Sequence, residues 1–176
     1  RIIPIEADNK NVRQILEDRN GRIVFSTGFQ LYAYHPREEK ITCVLPEICT
    51  GNTFYAQCHI APDNNLWVMT STGLRCYDPS TLQLKESVAL NGYPYYSYLH
   101  NNELWITGNH TLSIFDTRTR SFKPLPQPIA QNTTLCNADI DYIHPYGNNG
   151  LLLNTARHGM FYYNPGTGSV TRQGEN

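Results

Sequence analysis

Four times along the chain one order of parts recurs: an apolar strand, a turn, a second apolar strand ending in Thr, another turn, then an aromatic strand ending at a polar break. The first copy occupies residues 12–28 and continues from Leu31 to Tyr34-His35-Pro36. The second runs from Ile60 through Leu66-Trp67-Val68-Met69-Thr70 to Gly73-Leu74 and Tyr77-Asp78-Pro79. The third runs from Leu99 through Leu104-Trp105-Ile106-Thr107 to Leu112 and Phe115-Asp116-Thr117. The fourth runs from Ile143 through Leu151-Leu152-Leu153-Asn154-Thr155 to Gly159-Met160 and Tyr163-Asn164-Pro165. The aromatic markers Tyr34, Tyr77, Phe115 and Tyr163 lie 43, 38 and 48 residues apart. Thr27, Thr70, Thr107 and Thr155 lie 43, 37 and 48 apart. Two independent markers agree to within one residue, and a period of this length decides the architecture before any motif does.

Each copy reads as β-structure. Leu66, Val68 and Thr70 alternate with Trp67 and Met69, the strand period of two, with both sides apolar. Asn20-Gly21, Asn64-Asn65, Asn101-Asn102 and Asn148-Asn149-Gly150 form the turns, because Asn and Gly accept positive φ. Val12, Ile15 and Leu16 alone would suit a short helix, but the three sister copies do not. A fourth strand per copy is supplied by residues 40–43, 83–88, 121–122 and 169–171. Short antiparallel strands in fours, apolar on both faces, describe all-β β-propeller blades stacked face to face. A sandwich would keep one wet face on each strand.

The expected blades cover residues 12–43, 54–88, 95–123 and 138–172, with residues 1–5 as the outer strand of a preceding blade. Propellers span about four to eight blades. The extra outer strand and the abrupt ends lead us to expect a section of a larger propeller. Its open faces would be apolar and would favour pairing with another copy. The chain starts at Arg1 with neither an initiator Met nor a signal peptide, which fits the same expectation.

Composition excludes several classes. Charged residues are only 16% of the 176, and the net charge is −1, which gives no electrostatic footprint for nucleic acid. No apolar run approaches the ~20 residues of a membrane span. The five Cys are Cys43, Cys49, Cys58, Cys76 and Cys136, in no zinc spacing. Packed thiols are the default reading, with a Cys43–Cys49 loop as the alternative in an oxidising compartment.

The strings Ile15-Leu16-Glu17-Asp18-Arg19-Asn20-Gly21-Arg22-Ile23 and Asn65-Leu66-Trp67-Val68-Met69-Thr70-Ser71-Thr72-Gly73-Leu74-Arg75-Cys76-Tyr77-Asp78 resemble the two-component-regulator propeller repeat. That repeat reads as an acidic-Gly turn, Leu-Trp-Ile-Gly-Thr, Gly-Leu and Tyr-Asp. The chain departs from it where Ser26, Met69, Ile106 and Asn154 replace the Gly before Thr, and where His110-Thr111-Leu112 replaces Gly-Leu. The repeats are most similar to the periplasmic sensor region of Bacteroides-type hybrid two-component systems. The resemblance implies an input segment, non-catalytic and without cofactor, in a protein anchored in the inner membrane. It implies glycan-derived oligosaccharide as ligand, control of the matching utilisation genes, and signalling as a homodimer. The remaining propeller and the adjacent sensor domains would be its partners, with no direct nucleic-acid contact. The histidine kinase would lie elsewhere in the parent protein.

Binding surfaces commonly form on loops. The first places to examine are therefore the turns after each Thr (Gly28-Phe29-Gln30, Ser71-Thr72, Asn109-His110 and Arg157-His158) and the connectors 47–53, 91–95 and 127–137. A sugar offers a C–H face for aromatic stacking and hydroxyls for forked polar partners. Tyr93 and Tyr95, with Asn109, His110, Arg157 and His158, would supply both. The competing reading carries more weight: Tyr96 and Tyr98 as inner-strand core, and Tyr93 as filler of a blade joint. Trp67 and Trp105 recur at one strand position, which points to blade packing. Asp78, Asp116 and Asn164 are expected to close turns with their own side chains. Asp139 and Asp141, two apart on one strand face, would suit a cation, although solvated or turn-bonded carboxylates are the simpler reading. No metal site is assigned.

The six His form no His-x-x-x-His pattern, and neither a nucleophile elbow nor a phosphate loop occurs. The leading expectation is a non-catalytic sensor segment. The alternatives are a propeller enzyme such as a lyase, or a protein-interaction scaffold.

Overall fold

A computed structural model gives the structure of residues 11–27, 30–45, 57–147 and 149–174. The strand expected at 2–5, connector 47–53, Gly28-Phe29, Cys49 and Asn148 lie outside these described residues. The chain divides into an N-terminal half, Arg1–Asn91, and a C-terminal half, Gly92–Asn176.

The described residues of the N-terminal half form two sheets. The first is β1 (Gln14–Glu17), β2 (Ile23–Ser26), β3 (Leu31–His35) and β4 (Lys40–Leu45), and the second is β5 (Gln57–Ile60), β6 (Leu66–Thr70), β7 (Gly73–Tyr77) and β8 (Leu84–Ala89). The C-terminal half repeats the plan with β9 (Pro94–His100), β10 (Glu103–Gly108), β11 (Thr111–Asp116) and β12 (Ser121–Lys123), then β13 (Ile140–Tyr146), β14 (Gly150–Thr155), β15 (Gly159–Asn164) and β16 (Ser169–Gln173). Every sheet is an antiparallel meander of consecutive strands. Residues 12–16, the one stretch with helical spacing, contribute to strand β1.

The turn residues behave as their chemistry requires. Gly21, Asn64, Asn101 and Asn149 all have positive φ, between 57° and 73°. The Oδ1 atoms of Asp78, Asp116 and Asn164 accept from backbone N–H groups two and three residues ahead. These are the side-chain-closed turns expected of them. Burial falls from the middle of each sheet outward. All five residues of β6 are buried, whereas β12 is exposed throughout.

The register corrects the Thr alignment of the third repeat. Leu66 pairs with Tyr77 and Leu104 with Phe115, which makes Trp67 and Trp105 equivalent. Gly108, not Thr107, then matches Thr70. The hydrogen bonds agree: the hydroxyls of Thr70 and Thr155 donate to the carbonyls of Gly73 and Gly159 across the turn, at 2.8 and 2.7 Å. That of Thr107 points to the Tyr96 carbonyl at 3.4 Å instead.

The connector after β12 holds two single-turn helices, α1 (Gln127–Ala130) and α2 (Thr133–Cys136). Asn132 caps α2 by accepting from Leu135 N at 3.0 Å. Ile129 and Leu135 enter the C-terminal core beside Trp105, Ile140, Leu153 and Phe161. The apolar residues of this connector are thus structural, and they carry the chain from the third sheet to the fourth.

Candidate functional site

A meander puts its first and third turns at one end of the sheet and its second turn at the other. In the C-terminal half the second turns are 109–110 and 156–158, and the connector ends beside them at Asp139. A polar cavity of about 270 Å³ lies here, lined by His110, Asn137, Asp139, Arg157 and His158, with Ala138 and Ala156 between them.

Each side chain is positioned by local bonding. His110 has φ 51°, an uncommon state for a residue with a side chain. It is held there because its backbone N donates to Asp139 Oδ1 at 3.0 Å. Its Nδ1 lies 3.0 Å from the Asn137 carbonyl. A carbonyl only accepts, so Nδ1 carries the proton and Nε2 is left as an acceptor in the neutral ring. Protonation of the ring would place a cation 3.4 Å from Asp139 Oδ1. Across the cavity, Thr155 Oγ1 accepts from His158 N at 2.9 Å, and Arg172 Nε donates to the His158 carbonyl at 2.8 Å. Asp139 O accepts from Ala156 N at 2.9 Å, which joins the two walls. Arg157 makes no ion pair among the described residues, so its guanidinium is available.

Three of the six sequence-selected residues, His110, Arg157 and His158, therefore meet in one cavity. Asn109 is exposed on the same turn without lining it. Tyr93 and Tyr95 also stand outside it, 68% and 46% exposed. Tyr93 is consequently no buried filler of a joint. Its carbonyl passes so close to Gly108 that a Cβ there would sit 2.6 Å away, which places Tyr93 at the cavity's end of the sheet. Tyr96 packs edge-on against Tyr142 at 5.3 Å.

Asn137 ends the connector 127–137 that the sequence offered; Asp139 is bonded to a turn, the simpler of its two readings, and does not share a strand face with Asp141. Asp141 sits in a bulge, where the register jumps from Ile140 to Tyr142, so strict alternation no longer puts the two carboxylates on one face. Asp139 is spent on the His110 turn. Among the described residues no group of three or more His, Cys, Asp and Glu could hold a metal ion.

No protein-family model matches the chain, and no curated protein does. Solved structures do match. The extracellular domain of a B. thetaiotaomicron hybrid two-component system superposes with TM-score 0.74 at 18% identity, over 99% of this chain and 23% of that one. The β-propeller domain of Cps50 (Swd1) from Myceliophteria thermophila superposes with TM-score 0.61 at 11% identity, over 92% and 56%. The fold is a β-propeller fold. Virginiamycin B lyase from Staphylococcus aureus is similar to the propeller blades as well, with TM-score 0.65 at 14% identity over 94% and 57%. The chain spans about a fifth of the B. thetaiotaomicron chain, 21–23% of its length. The two-component sensor region that the repeats resemble is thus among the propeller's structural neighbours.

Proposed function

We propose that the chain is a non-catalytic, periplasmic input segment of a hybrid two-component histidine kinase, a section of a larger propeller that responds to glycan-derived oligosaccharide. The observation that carries this reading is the cavity of His110, Asp139, Arg157 and His158 at one end of the C-terminal blades. It combines an available guanidinium, an imidazole acceptor and backbone carbonyls, the mixed donors and acceptors that vicinal hydroxyls need. Exposed Tyr93 and Tyr95 add aromatic faces at the same end of the sheet. The likeness to an extracellular sensor domain supports the setting. Ligand binding would bias a homodimer between two arrangements of propeller and neighbouring domains, so that the kinase regulates glycan-utilisation genes.

Calorimetry of the complete sensor region against an oligosaccharide panel tests the proposal. One glycan should bind, and Arg157→Ala with His158→Ala should weaken it about tenfold or more. Failure of every glycan would sink the sugar assignment.

A lyase reading draws on a second observation, His110 beside Asp139 with His158 in the same cavity, together with the likeness to virginiamycin B lyase. It predicts turnover of a lyase substrate that disappears in His110→Ala and His158→Ala. A scaffold would instead bind a partner chain and no glycan.

A further inference from the structure

The opposite end of the same two blades has a larger recess, and its origin can be read from the register. Ile23 pairs with Tyr34 and Leu104 with Phe115, so Arg22, just before Ile23, matches Glu103, just before Leu104. In the N-terminal half the Arg22 guanidinium crosses to the Pro79-Ser80 turn of the second blade and donates to both carbonyls. It ties those two blades together at this end. In the C-terminal half the facing turn is Asn164-Pro165-Gly166, but Glu103 can only accept. It turns instead to Lys123 Nζ at 2.7 Å, and a cavity of about 520 Å³ stays open between the third and fourth blades. That volume lies within the range of small-molecule sites.

Two residues that line this cavity each carry a buried, unsatisfied polar atom. Trp105 is 2% exposed and lines the cavity, yet its Nε1 has no hydrogen-bond partner among the described residues. His100 also lines it, and its enclosed Nε2 is equally unpartnered. A buried N–H without an acceptor is costly, and native structures rarely leave one unexplained. The fixed charges are already matched: Lys123 bridges Glu103 at 2.7 Å and Asp116 Oδ2 at 3.4 Å. Asp116 also accepts from two backbone N–H groups. The walls are apolar where Trp105 and Tyr163 approach, with ring centroids 5.8 Å apart, and amide-rimmed at Asn101 and Asn149.

We infer that this groove is a second binding site, for a neutral polyhydroxylated ring of sugar type. A hydroxyl accepts from Trp105 Nε1 and donates to Glu103 or an Asn carbonyl, while the ring's C–H face lies on the more exposed apolar lining of Pro124, Leu125 and Pro126. An anion would face two carboxylates, and a cation would meet Lys123 and leave the indole N–H unserved. The site lies at the far end of the sheet from the His110 cavity and does not depend on what binds there.

The chain has two Trp, so its spectrum holds two indole N–H signals, and comparison with Trp105→Phe assigns them. The full chain is titrated with galactose, mannose, xylose and arabinose, and with acetate as the anionic control. At least one sugar should shift the Trp105 indole signal saturably and leave that of Trp67 unmoved. Glu103→Arg, which puts a guanidinium at the position of Arg22, should weaken this at least tenfold. So should Asn101→Gly with Asn149→Gly, which removes the amides and keeps the left-handed backbone even if Glu103→Arg perturbs folding. No shift with any sugar, an equal shift with acetate, or unchanged affinity in the folded variants would overturn the site. Oligosaccharide binding lost in the Arg157 and His158 variants but indifferent to the Trp105 groove would leave the sensor reading standing and remove only this one.

Discussion

Arg22 Nη2 lies 2.6 Å from Asp18 Oδ2, with the two side chains only 9% and 6% exposed. The same guanidinium reaches the Pro79 and Ser80 carbonyls, so one side chain satisfies a buried carboxylate and ties the first blade to the second. Arg22→Ala would leave Asp18 enclosed with only the backbone donors of Asn20 and Arg22. Breaking a buried pair from one side costs about 3 kcal/mol or more. Asp18→Asn with Arg22→Met should recover part of that loss, because the amide Oδ1 keeps both backbone bonds and no charge is left enclosed. Urea midpoints of the single and double variants check both, and a single-variant loss under about 1 kcal/mol would refute the role.

Thr155→Val removes a hydroxyl that bonds two ways across the β14–β15 turn. About 1–2 kcal/mol of stability should go, along with the order of the His158 wall. Thr107→Val should cost less, because its bond to Tyr96 O is long at 3.4 Å and its place in the turn is taken by Gly108. Equal losses at the two positions would show that the register, as drawn, does not decide the energetics.

All four repeats are visible in the sequence because strand pairing is written in turn residues and apolar alternation. Asn64, Asn101 and Asn149 declared their turns, and the all-buried β6 showed as an unbroken apolar run. The site was only partly legible. Arg157-His158 and His110 stood out as polar residues after a strand end. Asp139, however, needs the Ile140–Tyr142 bulge to be seen, and a one-residue bulge leaves no mark in composition. The α1–α2 pair was hidden too, since single turns lack the length for a 3.6-residue pattern. The open groove at Glu103 appears only once register aligns it with Arg22.

Asp116 gives a pH signature. Backbone N–H groups, Thr119 foremost, and the Lys123 ammonium hold its carboxyl below the usual carboxylate range. A depressed folded-state value adds stability that is full above the unfolded value, about pH 4, and is lost as pH falls through the folded one. Asp116→Asn should therefore be less stable than the parent at pH 7, with the gap closing under acid. Urea titrations between about pH 2 and pH 7 measure this; a gap constant across that window would exclude the carboxylate as its source.

The thiols should sort by location. Burial alone pushes the Cys58 thiol up to about 12, and Cys76 is also buried, two strands away in the same sheet. Neither should take up iodoacetamide at pH 8 in the native chain, because the thiolate is the nucleophile. Exposed Cys43, its thiol raised less, should react slowly under the same conditions. Peptide mapping before and after denaturation reads the difference, and native alkylation of Cys58 would mean that the second sheet opens.

Every sheet is made of strands that neighbour one another along the chain, joined by turns of a few residues. Pairing such strands closes only short loops, so little chain entropy is lost before each hairpin is repaid. Emergence from the ribosome is itself sequential. A blade can zip up as its last strand appears, without waiting for chain still to be translated.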